Sequence, residues 1–122
     1  MKKAAIYISI MIGVYIFVWG CAAQTGSYGQ KIIESRITQI GEILKSPKEF
    51  KGRVVKVKGK ITEECPSGGW FMLKDGSGTI FVNLHPSYFS IPQAVGHDAT
   101  AEGVVIQEGP KPAITGKGVE VK

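Results

Sequence analysis

The sequence predicts an all-β domain: a five-stranded Greek-key barrel with a short N-terminal helical segment, set behind an export or anchor segment. Three observations carry this. Five short apolar runs are separated by turns rich in Gly and Pro. Two of them, Trp70–Lys74 and Thr79–Leu84, form a hairpin whose faces agree in only one register. The first 20 residues are basic at the start and then uncharged and largely apolar, unlike the rest of the chain.

Lys2 and Lys3 precede an apolar run from Ala4 to Gly20, which ends at Cys21. A basic n-region ahead of an apolar h-region is the pattern of an export signal. Val18-Trp19-Gly20-Cys21 resembles a bacterial lipobox, with Trp19 where that pattern has a small residue. The resemblance implies a diacylglyceryl group on Cys21 and cleavage just before it. The alternative is an uncleaved anchor: Ala4 to Ala23 is 20 residues without a charge, which at ~1.5 Å per residue spans a ~30 Å hydrocarbon core. Both readings place residues 31–122 outside the cytoplasm, in a bacterial cell envelope. Loss of Lys2 and Lys3 takes the formal charge from +5 to +3, so the pI near 9.3 overstates the basicity of the working domain. With Cys21 lipidated, Cys65 is the remaining cysteine. Packing, with no intramolecular disulfide, must then hold a domain of roughly 90 residues, enough for one modest core.

Residues 21–30, small, polar and Gly-containing, read as a flexible tether. Ile33, Ile37, Ile40 and Leu44 fall at helical spacing, joined by Ile43. Gly41 interrupts them, so a helix or an extended lead-in precedes a short helix from about Gly41 to Lys45. Ser46-Pro47-Lys48-Glu49 begins another turn, since Pro is tolerated at a helix start. Arg53 to Thr62 is the first strand, with Val55, Val57 and Ile61 on one face and Lys56, Lys58 and Lys60 on the other. Gly59, on the apolar face, marks a bend or bulge.

Across the even loop Asp75-Gly76-Ser77-Gly78, Lys74 faces Thr79 and Phe71 faces Val82. Phe71, Leu73, Ile80, Val82 and Leu84 then point inward, and Trp70, Met72, Lys74, Phe81 and Asn83 outward. His85 to Gly96 holds two prolines and reads as a short helical turn with Phe89, Ile91 and Val95 plugging a barrel end. Ala99–Gln107 and Ala113–Val121 are the last two strands. Ile114 is out of parity with Val119 and Val121, which places a bulge at Gly116-Lys117-Gly118.

Five such strands, with a short connection between the third and fourth, specify an OB-type barrel. The runs SPKEFKGRVVKVKGKI, WFMLKDGSGTIFVNL and GHDATAEGVV resemble small exported OB-fold proteins and lipoproteins of uncharacterised bacterial families, related to anticodon-binding-like OB domains. The resemblance covers about residues 40–122 and implies a fold without a chemistry. Cys65-Pro66-Ser67-Gly68-Gly69-Trp70 resembles the Cys-x-x-Gly-Cys-Trp of relatives whose two cysteines pair or hold a metal, but Gly69 stands at the second position here.

Two constellations are candidates for function. Lys56, Lys58 and Lys60 share the outward face of the first three strands with Trp70, Met72, Phe81 and Asn83. Rings among cations suit single-stranded nucleic acid, whose bases stack at ~1–3 kcal/mol each. Export favours a peptide, a glycan, an envelope protein or an anionic lipid surface instead. The plainer reading is a solvated basic strand, with Trp70 and Phe81 covered by the N-terminal segment. Cys65, His85 and His97 are the soft and imidazole ligands of the domain, of a type that suits Zn or Cu. No two of them have close ligand spacing. A lone exported thiol also suits an intermolecular disulfide.

No nucleophile–base pairing, phosphate-cradling loop or apolar carboxylate pair supports catalysis. Asp75-Gly76-Ser77-Gly78 is followed by a strand, where a nucleotide loop requires a helix. The sequence therefore predicts a membrane-anchored, non-catalytic binding module without a cofactor. A metal- or redox-handling protein using Cys65 and His85 is the first alternative, and a nucleic-acid-binding OB domain the second.

Overall fold

The computed structural model describes residues 25–122. The expected export or anchor segment, Cys21 and the start of the expected tether lie outside them. In chain order the elements are β1 (Gly26–Gly29), α1 (Ile40–Lys45), α2 (Pro47–Phe50), β2 (Val54–Glu64), β3 (Trp70–Lys74) and β4 (Thr79–Asn83). A 3-10 turn (His85–Ser87), β5 (Asp98–Glu108) and β6 (Lys111–Val121) follow. β2 to β6 close a five-stranded barrel in the ring order β2-β3-β4-β6-β5, and β1 adds an edge to β6.

Each closure has a local cause. β2 is long enough to serve two partners: it pairs with β5 from Val54 to Lys60 and with β3 from Lys60 onward. At that corner Gly59 leaves room for the backbone of Lys74 and Asp75, which a Cβ would strike. The register then shifts between Ile61 and Glu63, so the bulge falls after the glycine. β3 and β4 pair in the expected register, Phe71 with Val82 and Leu73 with Ile80. β6 runs parallel to β4 through Ala113–Thr115 and antiparallel to the whole of β5. Its pairing with β5 skips Lys117, which is the predicted bulge.

The inward faces of all five barrel strands form one core with Phe71, Leu73, Ile80, Val82, Ile61, Ile114 and Val119 at its centre. Full burial of each such aliphatic or aromatic side chain contributes roughly 1.5–3 kcal/mol. Ile40 and Ile43 of α1 join this core, and Phe50, Phe89 and Tyr28 pack against its margin.

Two expectations are corrected, and one open alternative is decided. Gly26–Gly29, read as tether, is a strand whose ladder with Gly118–Val121 satisfies its backbone. Of the two lead-ins that the sequence left open before α1, the structure has the non-helical one: residues 30–39 carry no helix, with one bridge from Ile37 to Lys56. Ile33 and Ile37 are accordingly exposed. In the segment after the 3-10 turn, Ile91 and Ala94 are buried while Val95 is 54 % exposed. Ala94 therefore fills the place expected of Val95.

Candidate functional site

On the outer face of the β3–β4 hairpin, Trp70 pairs with Asn83 and Met72 with Phe81. Strand alternation turns all four outward, and all are half-buried. The diagonal pair Trp70 and Phe81 have ring centroids 5.4 Å apart and planes tilted by 40°, a geometry favoured by aromatic quadrupoles. Asn83 Oδ1 accepts the N–H of His85 at 3.1 Å, which fixes the amide at the end of the row.

The lysines do not all join this platform. Lys56 faces Glu102 and Lys58 faces Thr100, both on β5. Lys60 alone reaches the hairpin, opposite Lys74. Beyond the bulge it is Glu63 that stands opposite Met72. The aromatic row thus has cations at one end and a carboxylate at its side, where parity counting had placed a continuous basic strip.

The chain before α1 forms a strap over the other side of the barrel. Gln30 N–H donates to Lys117 O at 2.8 Å, and the strap crosses β6 at Gly118, where a side chain would meet Gln30 and Ile32. Over β5, one oxygen of Glu102 accepts the N–H groups of Ile33 and Glu34 at 2.9 and 2.7 Å. Over β2, Lys56 Nζ donates to Ser35 O at 3.3 Å and Thr38 N–H donates to Lys56 O at 2.8 Å. The strap's bonds therefore fall on β6, β5 and β2, whereas covering Trp70 and Phe81 would require it on β3 and β4.

The strap ends on the hairpin turn. Asp75 Oδ1 accepts from the Ser77 hydroxyl, Ser77 N–H and Gly78 N–H, while Oδ2 accepts Ile40 N–H at 2.9 Å. Ser77 Oγ accepts Gly41 N–H at 2.8 Å. Gln39 makes no side-chain cap, so the first N–H groups of α1 are capped from the turn. Partial burial pushes the Asp75 carboxyl up, but these donors, led by the Ser77 hydroxyl, together outweigh it and hold the carboxyl below its ordinary range.

Cys65 opens a tight loop in which its N–H bonds Trp70 O and its carbonyl accepts Gly68 N–H. Its Sγ lies 3.1 Å from Ser67 Oγ. That hydroxyl, and then the Ser67 N–H, pull the thiol pKa down against the opposing effect of burial. At Gly69, the position that the resemblance gives to a second cysteine, the His85 ring lies directly over the backbone, with Nε2 2.5 Å from the position a Cβ would take. The imidazole thus occupies the space of a side chain at 69. His97 Nδ1 is 3.0 Å from Lys122 O. Among the described residues, no three His, Cys, Asp or Glu side chains are grouped to hold a metal ion.

Sequence reasoning gave Glu63 and Glu102 no role, and read Asp75 and Ser77 as turn residues alone. Glu102, a lone acid between Ala101 and Gly103, carried a signal; that it serves the strap did not follow from one strand's pattern.

No family model and no curated protein matches the sequence. Among solved structures, the hypothetical protein YgiW from E. coli is similar at 21 % identity and a TM-score of 0.55, over 76 % of this chain and 100 % of its own. A putative aspartyl-tRNA synthetase from Leishmania major Friedlin is similar at 17 % identity and a TM-score of 0.52. That match covers 75 % of this chain and only 22 % of the synthetase. At these identities the likeness is one of fold, and the fold is the OB-like barrel described by the strand order above.

Proposed function

We propose that this chain is a membrane-anchored, non-catalytic binding module of the cell envelope, attached through Cys21 and taking its ligand on the outer face of β3 and β4. The observation that supports it most is the Trp70–Phe81 pair. It lies on the strand pair that OB barrels commonly use for ligands, while the strap occupies the other side. Paired rings with Met72 suit a ligand that offers an apolar or ring face, and Glu63, Lys60 and Lys74 add both signs of charge at the margin. A peptide segment or a glycan fits that mixture. A polyphosphate backbone fits it less well, because Glu63 stands beside Met72 and two of the three lysines lie on the strap side.

The test is direct binding of cell-wall glycan fragments and of envelope peptides to the full chain in detergent, read by tryptophan fluorescence and by calorimetry. Trp70→Ala and Phe81→Ala each weaken binding by about 1–3 kcal/mol if rings carry the contact. Binding indifferent to both substitutions removes this face as the site. Cys21→Ser releases the protein from membranes if a lipid is the anchor, and leaves it attached if residues 4–23 span the bilayer.

A further inference from the structure

The barrel has little slack from its anchor. β1 is paired from Gly26 onward, so only residues 22–25 separate Cys21 from a fixed strand. Five peptide units reach at most about 18 Å, which holds the domain at the membrane surface. The structure then offers a face for that surface.

Ile33 is 81 % exposed, Ile37 53 % and Val54 52 %. The strap is fastened by backbone hydrogen bonds to Glu102 and Lys56, and while Ile32 packs half-buried over Gly118, Ile33 and Ile37 are left turned outward. Ile37 bridges Lys56, two residues along β2 from Val54, which brings these side chains to one surface. Lys31, Arg36, Arg53 and Lys58 are exposed around them. Arg36 and Arg53 border a groove of about 190 Å³ together with Val54. Acids only partly offset these cations: Glu102 is buried beneath the strap with its carboxylate bonded, and Glu34, half-buried, lines the same groove as Arg36 and Arg53. Exposed aliphatic side chains ringed by Lys and Arg match the boundary between acyl chains and anionic headgroups, where the cations stay with the phosphates.

We infer that the strap and the beginning of β2 lie against an anionic bilayer surface, which leaves the Trp70–Phe81 face on the opposite side of the ring of strands. The inference rests on the membrane anchoring proposed above.

The experiment uses the full chain in lipid nanodiscs of phosphatidylglycerol or of phosphatidylcholine, with a trace of gadolinium-chelate lipid in the headgroup layer. Methyl relaxation enhancement is expected to be strongest at Ile33, Ile37 and Val54 in phosphatidylglycerol and much weaker in phosphatidylcholine. Arg36→Gln and Lys58→Gln, both at exposed positions, should each weaken docking about fivefold. Enhancement that is uniform, that centres on Met72 or Val95, or that ignores lipid charge overturns the inference and leaves the anchoring intact. A chain that fails to enter the discs overturns both.

Discussion

Asp75 joins two distant parts of the chain through one carboxylate. It accepts three donors within its own turn and a fourth, Ile40 N–H, from α1. Since the folded state depresses this carboxyl's pKa, its stabilisation is present above the ordinary aspartate range. It is lost as pH falls through the lower folded value. Asp75→Asn should therefore flatten the acid arm of a stability–pH curve from urea unfolding, and cost about 1–2 kcal/mol at neutral pH. Cys65 is the second residue with a consequence of its own. The Ser67 hydroxyl and N–H favour its thiolate, so alkylation by iodoacetamide should reach half its plateau rate below the ordinary thiol pKa of about 8.5. Ser67→Ala should move that midpoint upward. At position 69, Gly69→Ala must push the His85 ring aside. Because that ring is exposed, imidazole chemical shifts should change more than stability does.

At the scale of elements, the β3–β4 hairpin was legible because a period of two and an even loop admit one register in which both strands bury their apolar residues. The bulge at Lys117 was legible for the same reason, as a break in parity between Ile114 and Val119. The strap was not. Ile33 and Ile37 sit at helical spacing with Ile40, yet the segment is extended, because its N–H groups find acceptors on Glu102 and Lys56 that no local pattern reveals. The aromatic half of the candidate site, Trp70, Met72, Phe81 and Asn83, followed from alternation alone. Of its expected lysine neighbours only Lys60 reaches it, since β2 exchanges β5 for β3 at that residue and the shift after Ile61 brings Glu63 beside Met72. Glu102→Ala should cost about 2 kcal/mol, and should raise amide hydrogen exchange at Ile33 and Glu34 well above that of β2 and β5. Equal protection at those amides in the variant would show that the strap holds without this carboxylate.

For the whole molecule, one core serves every barrel strand, so damage at its centre should be felt everywhere at once. Phe71→Ala should cost about 3–5 kcal/mol and should lower the thermal transition of every probe together, from β1 to β6. A separate early transition confined to β1 and the strap would show that these belong to a weaker unit. The partnership of β1 with β6 also bears on time as well as stability. In a chain exported from its N-terminus, Gly26 reaches the far side of the membrane nearly a hundred residues before Val121, its partner. β5 likewise cannot complete its ladder, nor β4 gain its parallel neighbour, until β6 has passed through. Contacts of such long sequence separation form late and slowly. Under the export proposed above, β1 thus waits for the strand that follows last, and translocation can finish before any closed barrel exists to obstruct it.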